Sequence, residues 1–392
     1  MKLRTTACRG ALLAILGLPA CGGPPPLSAP EPHPEPVVAV TPVLGDIAAV
    51  APELHAPTVV EVRDPLRTTP MLRHPDFNAE VDRWVERWSG PASPWLAQDL
   101  ERMSGFVAEV DSMIAARGLP GSLRYLPIVE SGYDPTAVSP ARAMGLWQLM
   151  EGTARGLGVR VSPLLDERRD PRRSTEAALD FLEDLHRDFG SWFLALAAYN
   201  SGPARVRRLL DRHAPLEPVS DSLFWTIRPR LPRETRDFLP KLFAAIRIAE
   251  RPDQFGHPRP VGASLVFDDV VVDDATTLDV VARAAGVTQG VVEALNPHIV
   301  RGITPPGTRV TLRLPGGTGE RFTTRYAEIP PEERVTFVEH RVAAGETLSH
   351  IAVRYGIRVA DLEAANPEVR PRYLRVGMLL TVPVAPSTRG QG

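Results

Sequence analysis

The segment Leu126-Pro127-Ile128-Val129-Glu130-Ser131-Gly132-Tyr133-Asp134-Pro135 sets one carboxylate directly after two β-branched apolar residues. Burial disfavours the charged form of a carboxyl group, so such company would raise the pKa of a glutamate, while taken alone Glu130-Ser131 also reads as the end of a surface helix. Asp134 lies four residues further on and would share a helix face with Glu130 if the helix continued. Pro135 opposes that, because the residue before a proline is pushed out of the α region, so Asp134 is read as a turn former. Three further segments follow: Ala137-Val138-Ser139-Pro140-Ala141 with Gly145-Leu146-Trp147-Gln148-Leu149-Met150, then Ala197-Ala198-Tyr199-Asn200-Ser201-Gly202-Pro203, then Leu231-Pro232-Arg233-Glu234-Thr235-Arg236-Asp237-Phe238-Leu239-Pro240. Taken singly they read as a turn entering a buried helix, a helix C-cap and a helix start. Trp147 reads as core or cleft wall, and Glu234 as structural, paired with Arg233 or Arg236.

Around these segments, from Met71 to about Gln254, apolar residues recur at helical spacing. Val81, Trp84, Val85 and Trp88 mark one helix face, and Leu96, Leu100, Met103, Phe106, Val107, Val110 and Ile114 the next. Thr175 to Phe189 reads as a helix capped by Ser174-Thr175 and stopped by Gly190. Trp192 to Tyr199, Ala204 to Leu210 and Thr235 to Glu250 are further helices. After Arg251-Pro252 the texture changes to short β-branched runs, such as Ser264 to Val272 and Thr336 to Val342. The chain also repeats itself here, without a gap, at an offset of 70 residues. Thr277-Leu278 meets Thr347-Leu348, Gly286 meets Gly356, Asn296-Pro297 meets Asn366-Pro367, and Thr311 meets Thr381. Each unit reads as strand, two short helices, strand. The fold class expected is therefore α+β multidomain: a mainly α-helical domain followed by two small βααβ modules.

The 392 residues are 43% hydrophobic and 23% charged, a globular composition with room for roughly two to three domains. Forty-five basic residues against 47 acidic ones leave a net charge of −2, which argues against a nucleic-acid binder. Cys8 and Cys21 are the only cysteines, so the body has no disulfide, thiol nucleophile or cysteine-built metal site; the nine histidines include no pair three to five apart. No cofactor or metal is expected. At the N-terminus Lys2, Arg4 and Arg9 precede the apolar run Ala11 to Leu18, the form of an export signal. Gly22 to Pro70 holds twelve prolines and reads as an extended tether.

Three resemblances sharpen this reading. Leu18-Pro19-Ala20-Cys21 resembles a bacterial lipobox, which implies lipidation at Cys21 and, with Gly22 rather than aspartate after it, an outer-membrane lipoprotein facing the periplasm. The second repeat, with His340-Arg341-Val342, Gly345-Glu346-Thr347-Leu348, Ile351-Ala352, Tyr355-Gly356 and Asn366-Pro367, resembles the LysM module, a binder of N-acetylglucosamine-containing glycans. The first repeat has Ala275-Thr276 and Ala285 where that pattern has Gly-Glu and tyrosine, and is read as a degenerate copy. The four ordered segments resemble the lysozyme-like catalytic domain of soluble-type lytic transglycosylases, and the whole architecture resembles the membrane-bound lytic transglycosylases of the D type.

The domains implied are 1–21 signal, 22–70 tether, 71–255 catalytic, 262–315 degenerate LysM-like and 336–384 LysM. The resemblance puts the catalytic glutamate at Glu130, a serine bonded to it at Ser139, and substrate-binding or support positions at Ser131, Gln148, Met150, Tyr199 and Asn200. Phe238 stands where the family usually has tyrosine, so a hydroxyl contact is lost. The partners implied are peptidoglycan strands and, through Cys21, a membrane; the chain is expected to act as a monomer. The reaction implied is cleavage between N-acetylmuramic acid and N-acetylglucosamine with closure of a 1,6-anhydro ring. It needs a single carboxylate as acid and then base, where hydrolysis ordinarily takes two. The alternatives are a hydrolysing muramidase on the same scaffold and a non-catalytic wall-binding lipoprotein.

Overall fold

A computed structural model describes residues 64–90, 93–261, 265–355 and 357–383. All lie in one of the two units into which the chain divides, Pro42–Gly392. Cys21, the export signal, residues 22–63 of the tether and Gly356 lie outside the described residues.

The first domain is built from ten helices: α1 (Pro65–Thr68), α2 (Pro75–Trp88), α3 (Pro94–Ala116), α4 (Leu126–Ser131), α5 (Glu151–Gly156), α6 (Pro171–Phe189), α7 (Trp192–Ser201), α8 (Pro203–His213), α9 (Ser222–Ile227) and α10 (Arg233–Glu250). Proline excess has a second meaning here besides linker. Pro65, Pro75, Pro94, Pro171 and Pro203 each open a helix, where the missing N–H has no intrahelical acceptor to lose. α6 accordingly starts four residues before the expected Thr175. Asp170 caps it, accepting from the N–H groups of Arg172 (2.9 Å) and Arg173 (3.1 Å), while the hydroxyls of Ser174 and Thr175 donate back to Asp170 O and Pro171 O. Asp64 to Pro70, placed in the tether on composition, are packed: Leu66 is fully buried in the helical core. That core centres on Phe77, Phe193 and Phe243, whose rings meet pairwise at 5.3–5.5 Å.

α10 runs through the centre of the domain against α2, α4 and α7. It carries Pro240 in its interior, where a proline removes one helical hydrogen bond and leaves a carbonyl free. The orphan is Arg236 O, and Arg228 Nε donates to it at 3.0 Å.

Two small modules follow. The first pairs β1 (Phe267–Val272) antiparallel with β2 (Val310–Pro315) around α11 (Leu278–Ala285) and α12 (Gln289–Leu295). It also owns an unforeseen helix, α13 (Gly319–Glu328), whose Phe322 is buried in the module core, so the module runs past the expected boundary at 315. The second pairs β3 (Phe337–Arg341) with β4 (Leu379–Pro383) around α14 (Leu348–Tyr355) and α15 (Val359–Ala364). The two superpose with a slip. Val270 faces Leu312, and His340 faces Leu380, so the closing strands correspond at an offset of 68 and not 70. Asn296 bonds Arg313 N and O; its counterpart Asn366 bonds Thr381 N and O. The gapless alignment looked sound because strands have a period of two, and a two-residue slip keeps every apolar residue on its own face.

The helical domain and the first module share a seam. Leu165, from the loop between α5 and α6, is buried in the first module's core. Its flanks pair with that module: Val300 N donates to Leu164 O (3.1 Å) and Asp166 N to His298 O (2.9 Å). Glu109 of α3 accepts from Arg172 at 2.6 Å and from Arg313 at 3.0 Å, and Arg172 also pairs with Asp269 at 2.5 Å.

Candidate active site

Glu130 sits in the last turn of α4, half-buried beside the buried Ile128. Gly132 ends the helix in the left-handed region, and a Cβ there would strike the Asp99 carboxylate, so only glycine fits. Arg102 fixes this end by donating to Gly132 O at 2.7 Å while pairing with Asp99. Tyr133 continues at φ 59° with its ring fully buried and its hydroxyl on Arg124 O (2.6 Å). Asp134 turns the chain as expected, accepting from Thr136 N and Oγ1 at 2.7 Å each.

The loop 144–150 lies alongside. Its carbonyls are claimed by Gln148 of the loop itself and by side chains from other parts of the chain. Gln148 Nε2 donates to Gly145 O (2.9 Å) and Ala137 O (3.2 Å), Ser131 Oγ to Leu146 O (2.8 Å), Tyr199 OH to Trp147 O (2.6 Å), and Arg168 Nη1 to Leu149 O (3.2 Å). Gln148 holds φ 48°, a conformation few non-glycine residues adopt. Trp147 is core: fully buried, its indole N–H on Thr175 Oγ1 at 2.8 Å. Met150 is exposed at the lip of this loop.

Two readings are corrected here. Ser139 makes no hydrogen bond to Glu130; its Oγ accepts from Ala143 N (3.0 Å) and closes the 139–143 turn. Glu234 forms no ion pair with Arg233 or Arg236 among the described residues; it is exposed and accepts from Asn200 Nδ2 at 3.4 Å. Phe238 packs as an apolar residue, 3% exposed.

Glu130 faces Glu234 and Lys241 of α10, and its own carboxyl has no hydrogen-bond partner among the described residues. Burial first, then repulsion from Glu234, push its pKa up to about 8, with Lys241 pulling the other way. Burial also raises the Tyr199 hydroxyl, aided by Glu130, and lowers Lys241. The Lys241 ammonium rests 4.7 Å from the centre of the Trp84 ring. Sequence reasoning passed over Lys241, although a signal was available: of 45 basic residues only Lys2 and Lys241 are lysine. Arg168 carried no such signal. Both its loop bonds go to backbone carbonyls, Arg142 O and Leu149 O at 3.2 Å each, while its guanidinium is held bidentate by buried Asp166.

A carboxyl on a helix end, raised in pKa by burial, without a hydrogen-bond partner among the described residues and framed by a pinned loop, is an arrangement for donating a proton. Residues 114–217, which include Glu130, Gln148, Tyr199 and Asn200, match the transglycosylase SLT domain family. The chain carries a transglycosylase SLT domain. Beyond it, residues 266–331 match the LysM-like domain of lytic transglycosylase MltD, and residues 340–383 the LysM domain. The first of these spans includes α13. The chain is 30% identical over 294 residues to membrane-bound lytic murein transglycosylase D of Escherichia coli strain K12, covering 72% of this chain and 64% of that protein. It thus spans just under two thirds of that relative's length. It is 39% identical over 111 residues to a putative tributyltin chloride resistance protein of Alteromonas sp. strain M-1, covering 28% of this chain and 54% of that one. The solved structure of lytic transglycosylase Slt from Pseudomonas aeruginosa aligns at 26% identity over 39% of this chain and 25% of that chain, with a TM-score of 0.32. Glu234, Phe238 and Lys241 fall outside the SLT-matched residues.

Proposed function

We propose that this chain is a peptidoglycan lytic transglycosylase in which Glu130 acts as acid and then as base. The observation that carries the reading is the setting of Glu130 inside an SLT-matched domain: no hydrogen-bond partner among the described residues, beside a loop whose carbonyls are already bonded, with burial and Glu234 raising its pKa. Protonated Glu130 gives its proton to the glycosidic oxygen between N-acetylmuramic acid and N-acetylglucosamine. The carboxylate left behind takes the proton of the muramyl C6 hydroxyl, whose oxygen closes on C1 to form the 1,6-anhydro ring. A nucleophile tethered within the substrate needs no positioned water and has a high effective concentration. Lys241 steadies the carboxylate between the two half-reactions. Tyr199, Gln148, Ser131 and Arg168 hold the loop that Met150 carries to the cleft, and Asn200 with Glu234 forms its rim.

Hydrolysis is the rival chemistry, favoured by the presence of Glu234 as a second acid near Glu130. Mass spectrometry of digested sacculi separates the two, because anhydro products are lighter by one water. Glu130→Gln should abolish release of either product and leave sacculus binding intact; wild-type-like turnover by that variant would overturn the assignment. The second module, where Glu346 is gripped by His340 (2.6 Å), Ala343 N (2.7 Å) and Arg354 (2.8 Å), holds glycan. In the first module Tyr326 of α13 bonds Thr276 (2.7 Å) at the corresponding loop, so this copy serves as a joint and not as a grip. Cys21 bears the lipid that anchors a monomer to the outer membrane; among the described residues no helix is long and apolar enough to cross a membrane.

A further inference from the structure

Beside the catalytic rim lies a groove of about 440 Å³ walled by arginines. Arg205, Arg208 and Arg212 lie on one face of α8 at spacings of three and four, and Arg230 faces them across an apolar floor of Leu209 and Leu231. All four are exposed, and among the described residues none lies within ion-pairing distance of a carboxylate. Their neighbours in sequence differ: Arg207 is paired with Asp188 and Arg228 with Glu80. Partial desolvation, then the charges of Arg230 and Arg212, lower the pKa of His213 at the end of α8, as an uncompensated positive region would. The chain as a whole is slightly acidic, so this concentration of cations is local. The groove also begins where the site ends. Asn200 stands five residues before Arg205, Glu234 three after Leu231, and the two are joined by their hydrogen bond.

We propose that this groove binds carboxylates of the peptide stems attached to the glycan, so that the protein reads the peptide as well as the sugar. Guanidinium forks match carboxylates in geometry and charge, and the apolar floor suits small alkyl side chains. The inference rests on the glycan-cleaving reading above, and one arm of its test does not. In that arm the full chain is titrated with a soluble acidic stem peptide, with the same peptide amidated at its carboxyls, and with vesicles of anionic phospholipid. The acidic peptide should bind and the amidated one should not, and Arg208→Gln with Arg212→Gln should weaken binding by about tenfold per arginine removed, the size of one charge-assisted hydrogen bond. Arg208→Lys should retain part of it. In the second arm, turnover of stem-bearing strands is compared with that of strands stripped of peptide. The double variant should lose at least about tenfold more kcat/KM on stem-bearing strands than on stripped ones. Equal losses on both substrates, binding of vesicles but not peptide, or no binding of either would overturn the proposal. Peptide binding that depends on these arginines in a chain without glycan-cleaving activity would sink the enzymatic reading and leave the groove standing.

Discussion

Glu130 is governed by two charges of opposite sign on α10, and their effects on activity can be told apart. In the proposed reaction Glu130 must start protonated, so kcat/KM should fall as pH rises through about 8. Glu234→Gln removes a repelling negative charge, makes ionisation easier and should move this alkaline limb to lower pH. Lys241→Met removes the favourable cation and should move it to higher pH. A pH–rate profile of both variants checks the pair; shifts in the same direction would contradict the arrangement. Stability carries the same signature. A carboxyl whose folded pKa lies above its unfolded one stabilises the fold most below the unfolded value, and that contribution drains away up to about pH 8. The melting temperature of Glu130→Gln should therefore exceed that of the wild type by a margin that grows from about pH 5 to pH 8 and then levels off. The apolar setting of Glu130 was legible in the sequence because Ile128 and Val129 are adjacent in the chain. The effects of Glu234 and Lys241 on it were not, since each depends on which face of a distant helix packs against α4.

At the scale of elements, the bond from Arg228 to the carbonyl freed by Pro240 predicts a coupling. Arg228→Met should destabilise the domain by about 1–3 kcal/mol, the range for leaving a polar group without its partner. In a Pro240→Ala background, where residue 240 gains an N–H that donates to Arg236 O, the loss should be smaller, and a double-mutant cycle in urea measures the difference. Helices and their apolar faces could be read from spacing alone, as α2 and α3 illustrate. Starts were harder. Asp170-Pro171 outcompetes Ser174-Thr175 as a cap because the carboxylate reaches two N–H groups and proline already has the helical φ. α13 went unseen because Phe322 and Tyr326 are its main apolar residues and its fit depends on a module core formed earlier in the chain.

For the whole molecule, the telling residue is Leu165, which belongs by sequence to one domain and by packing to the next. Leu165→Ala should cost about 2–5 kcal/mol, as buried leucines do. Because the side chain is shared, the wild-type helical domain and first module should melt in one calorimetric transition, and Leu165→Asp should split it into two. Two separate transitions already in the wild type would show the seam to be weak. The seam also has a bearing on recombination. A chimera that exchanges everything after residue 261 for the tail of another enzyme would strip Leu165 of its socket and leave Glu109 without Arg313. A workable crossover would fall beyond α13 instead, so that any inherited or engineered shuffling of the C-terminal modules is expected to carry the first module along with the helical domain as a single heritable block.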